Sequence, residues 1–407
     1  MEWLNASYVK DLVENKNYSL SELSSHLQTL YPSEKGLSSS NLRKFCKSND
    51  ITFPRSKACT SDGSLDVAVH DAVDEVGCSY GRRMMTGYLR TKGVLAAESR
   101  VASSLKRVSP YYHQQRETGT QKLLNPQTYY APYFGYNLHM DQNEKLAEFG
   151  ITFVIAVDGC SGFIPSVPVM PRKNNIVIYD EVFRPAVDQY GLWEQVVVDH
   201  GREFYLTCFM QDYLRQIASM ERQAYRQVKS TSNNRVERLW VEVNQRVGYP
   251  IKSCLVDMEA KGLLSHDNDT HLFAMSHVGM MVAKHGLMTL TESWNQHSVP
   301  GKGRPVDGLH DRQNINLSIA LPTAEEATSM YEAASGSLSR EQPFGLDLLE
   351  DKDIALLSQR ESQFTEQMTE RIGTLSFVFG ATANNNFEPL QSAILLFLDV
   401  TMSIRDQ

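Results

Sequence analysis

The nine residues VVVDHGREF, Val196–Phe204, decide how the rest of the chain is read. Three consecutive valines make the short apolar, β-branched run of a buried strand, and Asp199 closes it. Gly201 marks a turn, and an amphipathic helical pattern, REFYLTCFMQDYLRQIASM, begins at Arg202. Taken alone, Asp199 is either a ligand presented at the end of a strand or the first residue of that turn.

Upstream the pattern is also strand-like. YNLHMD (Tyr136–Asp141) is short and alternating, and ITFVIAVD (Ile151–Asp158) has the composition of a central buried strand. GFIPSVPVMP is a third run, whose prolines place parts of it at an edge or a bulge. Asp158-Gly159 forms the turn between the last two. A helix, IVIYDEVFRPAVDQYG, leads into VVVD. Downstream, RQAYRQVK reads as a last short strand and NNRVERLWVEVNQRVG as a long helix. Three antiparallel strands followed by alternating helix and strand predict an α/β domain over 136–250, with a mixed sheet flanked by helices.

Three carboxylates in this unit draw attention: Asp141 at the expected end of the first strand, Asp199, and Glu237 in the first turn of the long helix. Val236, Leu239, Trp240, Val243 and Val247 form that helix's inward stripe, and Glu237 sits at its margin. Hard divalent cations need anionic oxygens brought together from different elements, and two strand ends with a helix start can supply them. Asp158 is the competing choice, because it follows a better strand than Asp141 does. Glu203 reads as a helix-start carboxylate. Trp193, Trp240 and Trp294 read as core.

The flanks differ in charge. The chain of 407 residues carries a net charge of −8, but Arg82–Lys122 holds nine Lys/Arg against two Glu, and Ala324–Arg371 eleven acids against four bases. Residues 1–55 predict short helices at helix-turn-helix spacing, YSLSELSSHLQTLYP and SSSNLRKFCKSNDI, the second with Arg43, Lys44 and Lys47 outward. After a turn-rich linker, residues 66–108 predict three more helices with a basic end. Arg82, Arg83, Arg100, Lys106 and Arg107 there are candidate phosphate contacts. An ordinary helical hairpin and a solvated basic face are the competing readings. Residues 109–135 read as a linker, 251–310 as a helical extension and 311–407 as an acidic tail of low information. The six cysteines form no CxxC pair, so a zinc ribbon or finger is not expected. AILLFLDV, Ala393–Val400, is too short to cross a bilayer, and no membrane partner is expected.

Together these features resemble the integrase catalytic core of the DDE superfamily, shared by retroviral and retrotransposon integrases, insertion-sequence transposases and integrase-like eukaryotic transposons. The matching elements are Asp141, VDGCSGF, DHGREF, NNRVERLW and the later ESWNQHSVPGKGRP, over roughly 130–305. The chain departs from the pattern at His200, where Asn or Ser is usual, and it lacks the His/Cys zinc module of retroviral enzymes. It also carries Val241 and Asn244 where those enzymes present lysines to DNA.

The resemblance implies a ribonuclease-H-like fold. It also implies a site in which Asp141, Asp199 and Glu237 hold two Mg²⁺ or Mn²⁺ ions, with Asp141 shared between them. His200 and Asn234 would support that site. DNA is the expected partner, with no small-molecule substrate. Element ends would meet Arg235, Arg238, Arg226 and Lys229 in place of the missing lysines. Nuclear localisation and a homo-oligomer are expected. The expected activity is 3′-end hydrolysis and strand transfer of transposon DNA. The alternatives are a domesticated DNA-binding protein without transposition, a ribonuclease-H-like nuclease, and a transcription regulator using only residues 1–108.

Overall fold

The computed structural model describes residues 3–16, 18–53, 61–110, 129–229, 233–299, 302–338 and 344–406. Most of the linker expected over 109–135 therefore lies outside the described residues, as does 54–60 of the earlier one.

The chain begins with α1 (Ala6–Lys10), α2 (Leu20–Leu30) and α3 (Ser39–Ser48). Ser19 starts α2 with a reciprocal cap: its hydroxyl accepts from the Glu22 amide, and the Glu22 carboxylate accepts from the Ser19 amide. Leu12, Leu23, Leu27, Leu42 and Cys46 make a small core of their own, and Arg43, Lys44 and Lys47 stay in solvent. The next three helices, α4 (Asp62–Val76), α5 (Arg82–Thr91) and α6 (Glu98–Val108), behave differently. Val69, Met85, Leu89, Val101 and Leu105 join the largest core of the molecule, together with helices from the end of the chain.

The sheet has five strands: β1 (Asn137–Leu146), β2 (Ile151–Asp158), β3 (Val169–Met170), β4 (Gln195–Val198) and β5 (Tyr225–Gln227). Their order is β3-β2-β1-β4-β5. The first three are antiparallel, and β4 and β5 run parallel to β1. This is the mixed sheet expected of a ribonuclease-H-like core.

Two details differ from the sequence reading. β1 does not stop at Asp141 but continues to Leu146, because β2 pairs with it across Asp141↔Ile155, Gln142↔Val154 and Asn143↔Phe153. Gly150, in the left-handed region at φ +66°, makes the return. The third run shrinks to two paired residues and a bridge at Ser166, because Pro165 and Pro168 have no amide to donate. Alternation sends Leu138, Met140, Val196 and Val198 into one core, covered by α7 (Arg184–Tyr190) and α8 (Tyr205–Ile217). The other face of β2, with Ile155 and Val157, meets α9 (Asn234–Val243).

A wide turn over Asn244–Gly248 carries α9 into α10 (Tyr249–Ala260). Then come the long α11 (Asp269–Gln296), α12 (Ala324–Ala333), α13 (Ile354–Arg371), α14 (Leu375–Ala383) and α15 (Glu388–Arg405). The acidic stretch is thus folded. Phe364, Met368, Val378, Phe379 and Phe397 fill the same core as Met85 of α5 and Val282 of α11. Most of its described acids are exposed, while Asp347 pairs with the buried Arg360 at 2.6 Å. Among the described residues no helix is long and apolar enough to cross a membrane.

Candidate functional site

Asp141 and Asp199 both follow the paired stretch of β1 and β4. β1 and β4 are paired at Asn137↔Gln195, Leu138↔Val196 and His139↔Val197, and the ladder ends there. Asp141 and Asp199 each lie two residues beyond the last rung. Asp141, still within β1, points by strand alternation to the same face as His139, and Asp199 follows the last residue of β4. They therefore flank the fork where the two strands part. Asp199 begins a turn as well: its Oδ1 accepts from the Gly201 amide at 2.9 Å. The two readings of Asp199 open at the sequence level are compatible.

Asp141 is buried, and its carboxylate is held from two sides. The Gln142 amide donates to Oδ1 and the Trp240 indole N–H donates to Oδ2, each at 2.9 Å. Burial pushes its pKa up to about 6. The nearby negative charges of Asp199 and Glu237 add to the rise, and the two donors oppose it. The three carboxylates therefore share one electrostatic field. Glu237 is half-buried in the first turn of α9, and Trp240, one turn on, is the direct link from that helix to Asp141.

Behind this lies a buried polar set. His139 Nδ1 is 2.7 Å from Asn233 Oδ1, and the Asn233 amide nitrogen donates to the Met140 carbonyl at 3.1 Å. The second bond fixes which way the amide faces, so Nδ1 of His139 carries the proton. Burial pushes the His139 pKa down to about 4, and the Tyr129 hydroxyl donates to its Nε2 at 2.7 Å. Sequence reasoning missed Asn233 and Tyr129 and left Trp240 in the core. The asparagine preceding NRVERLW was the one available signal.

Asp158 is a structural acid. It is fully buried and accepts from the Gly135, Cys160 and Ser161 amides, the Ser161 hydroxyl and the Trp193 indole, at 2.8 to 3.1 Å. Burial raises its pKa against these donors. Five donors already fill its lone pairs. The motif after the core works on the same hairpin. Trp294 donates to the Gly162 carbonyl, and the Asn295 side chain bonds both the amide and the carbonyl of Ile164.

An integrase core domain family model matches residues 129–306. Residues 129–306 are an integrase core domain of the DDE superfamily. The matched span contains the whole sheet, both acids at its fork, α9 and the Trp294–Asn295 element. A search of curated proteins returned no match. Integrase cores of this kind process DNA and normally use divalent metal ions. Asp141, Asp199 and Glu237 are hard oxygen donors of the type that such ions take. Among the described residues, however, no group of three or more His, Cys, Asp or Glu lies close enough together to hold a metal.

The remaining candidate residues divide. His200 beside Asp199 is exposed, and Asn244 is buried against Asn143. The Asn234 side chain lies outside what the structure describes. Arg238 of the integrase core is exposed, and Arg235 lies over the Tyr129 ring at 4.4 Å. Arg226, exposed on β5 opposite Val197, points to the carboxylate face.

The bases of α5 and α6 are mostly paired within the chain. Arg82 and Arg83 reach Glu98 at 3.8 and 4.0 Å, Arg100 reaches Asp62 at 2.9 Å and Arg107 reaches Asp66 at 2.8 Å. Lys106 is exposed.

Proposed function

We propose that this protein is a DDE-type integrase or transposase that carries out 3′-end hydrolysis and strand transfer of transposon DNA. The observation that carries the reading is the fork of β1 and β4. Each of Asp141 and Asp199 lies two residues beyond the last rung of that ladder, and the Trp240 indole ties the helix of Glu237 to Asp141. Asp141, Asp199 and Glu237 would hold two Mg²⁺ or Mn²⁺ ions. When bound, such ions activate an attacking oxygen and stabilise the leaving 3′-oxygen of an in-line displacement. The chain's own residues do the rest. The three acids supply charge, Trp240 and the Gln142 amide orient Asp141, and Arg235, Arg238 and Arg226 offer cations to the DNA backbone. Nuclear localisation and assembly into at least a dimer belong to this reading.

A second reading keeps DNA binding and drops the chemistry. One observation favours it: the acids are not gathered to ligating distance among the described residues. Purified protein, divalent metal and labelled terminal-repeat DNA separate the two. Metal-dependent 3′-nicking and strand transfer are expected, and Asp199→Asn abolishes both while DNA binding persists. Activity surviving Asp199→Asn would falsify the assignment, and binding without cleavage by the unsubstituted protein supports the second reading.

A further inference from the structure

Asn233 stands immediately before α9 and is fully buried. An asparagine there ordinarily turns its side-chain oxygen onto the first amides of its own helix. Here it does not: α9 has no side-chain cap. The amide is spent on β1 instead. Its oxygen takes the His139 ring at 2.7 Å, and its nitrogen donates to the Met140 carbonyl at 3.1 Å. These are the two residues preceding Asp141. The same residue's main-chain carbonyl accepts from the Glu237 amide at 3.2 Å and the Val236 amide at 3.1 Å. One asparagine thus touches the approach to Asp141 with its side chain and Glu237 with its backbone.

We infer that Asn233 is a positioning residue that sets Glu237 in register with Asp141, with His139 as its anchor in the sheet. This rests on the proposed reading of the carboxylates as one site. Among the described residues, the other directional bond between α9 and β1 is that of the Trp240 indole to Asp141, one turn further on. Val236 and Leu239 hold it against the sheet through apolar contact, which has no directional preference and tolerates sliding. Hydrogen bonds to a carbonyl and a ring nitrogen do not. His139 is itself fixed by the Tyr129 hydroxyl at 2.7 Å. The clamp therefore runs from Tyr129 through His139 and Asn233 to Glu237.

The test uses the full chain and titrates Mn²⁺ against tryptophan fluorescence, because the Trp240 indole touches Asp141. Three proteins are compared: the unsubstituted chain, Asn233→Ala, and Val243→Ala as a packing control on the same helix. Asn233→Ala is expected to raise the half-saturating Mn²⁺ concentration by roughly tenfold or more, the usual effect of losing an outer support of a metal ligand. Val243→Ala is expected to lower the melting temperature while leaving the half-saturation point in place. A half-saturation point that is the same in Asn233→Ala and the unsubstituted chain overturns the clamp and leaves the carboxylate site standing. No saturable response in the unsubstituted chain overturns the carboxylate site and the clamp with it.

Discussion

Asp141 and Asp158 show how similar residues take opposite work. Both are buried strand acids facing donors, but Asp158 accepts from five groups and Asp141 from two. Asp158→Ala leaves the Trp193 indole and the Gly135 and Ser161 amides without an acceptor. It is expected to destabilise the protein by roughly 2–4 kcal/mol, on the scale of leaving buried neutral donors unpaired, and calorimetric melting checks it. Asp141→Asn in metal-free buffer at neutral pH removes a charge that burial, Asp199 and Glu237 disfavour. It also sets an amide nitrogen against one of the two donors, so it is expected to cost less than Asp158→Ala by the same measurement. Trp240→Phe keeps the packing and removes the N–H. It is expected to lower the rate of 3′-nicking about tenfold with little change in DNA affinity, read as a turnover loss at saturating DNA. The acids were legible because each interrupts an apolar pattern. Trp240 was not, because periodicity assigns a residue to a face and says nothing of the one polar atom on it. Asn233 was missed for a related reason, since its two bonds go to β1, 93 and 94 positions away in the chain.

At the scale of elements, the sequence reading was strongest where one element makes its own pattern and weakest where two elements meet. The strands and helices of 136–250 follow from local periodicity, and their alternation predicts a mixed sheet without fixing the strand order. The length of β1 does not, because Gln142–Leu146 is polar and becomes strand only through β2. The basic stretch is the clearest case. Counting along the chain gave Arg82–Lys122 a local excess of bases, but Asp62 and Asp66 of α4 come from outside that window and face Arg100 and Arg107. Asp66 is held down at about 2 by the Arg107 and Ser104 hydrogen bonds, so it stays charged at any working pH. A base already paired with a carboxylate exchanges one partner for another on meeting phosphate and releases little counterion gain. Arg107→Ala is therefore expected to leave the salt dependence of DNA binding nearly unchanged. Arg235→Ala, with no acid partner among the described residues, is expected to reduce the slope of log K against log salt by about 1. Titrations at several salt concentrations compare them directly.

Across the whole molecule, α11 acts as a column. α5 lies so close to it that a Cβ placed on Gly87 would sit 2.3 Å from the Ser293 carbonyl oxygen, and Phe379 of α14 packs against Gly286. The helical segment before the integrase core and the described part of the acidic stretch after it therefore share one apolar interior with the core. Phe397 of α15 is the test of that statement. It is fully buried, stacked on His277 of α11 with ring centres 4.5 Å apart and met edge-on by Phe364. Phe397→Ala is expected to cost about 3–5 kcal/mol. All four tryptophans, Trp3, Trp193, Trp240 and Trp294, lie outside residues 344–406, so their fluorescence reports on the rest of the protein. A free-standing tail would lose its own structure and leave the tryptophan melting curve where it was. A shared core requires that curve to move to lower temperature together with the loss of helix seen by circular dichroism. That joint shift is the expected result, because Phe397 and the inner face of α9 draw on the same apolar interior.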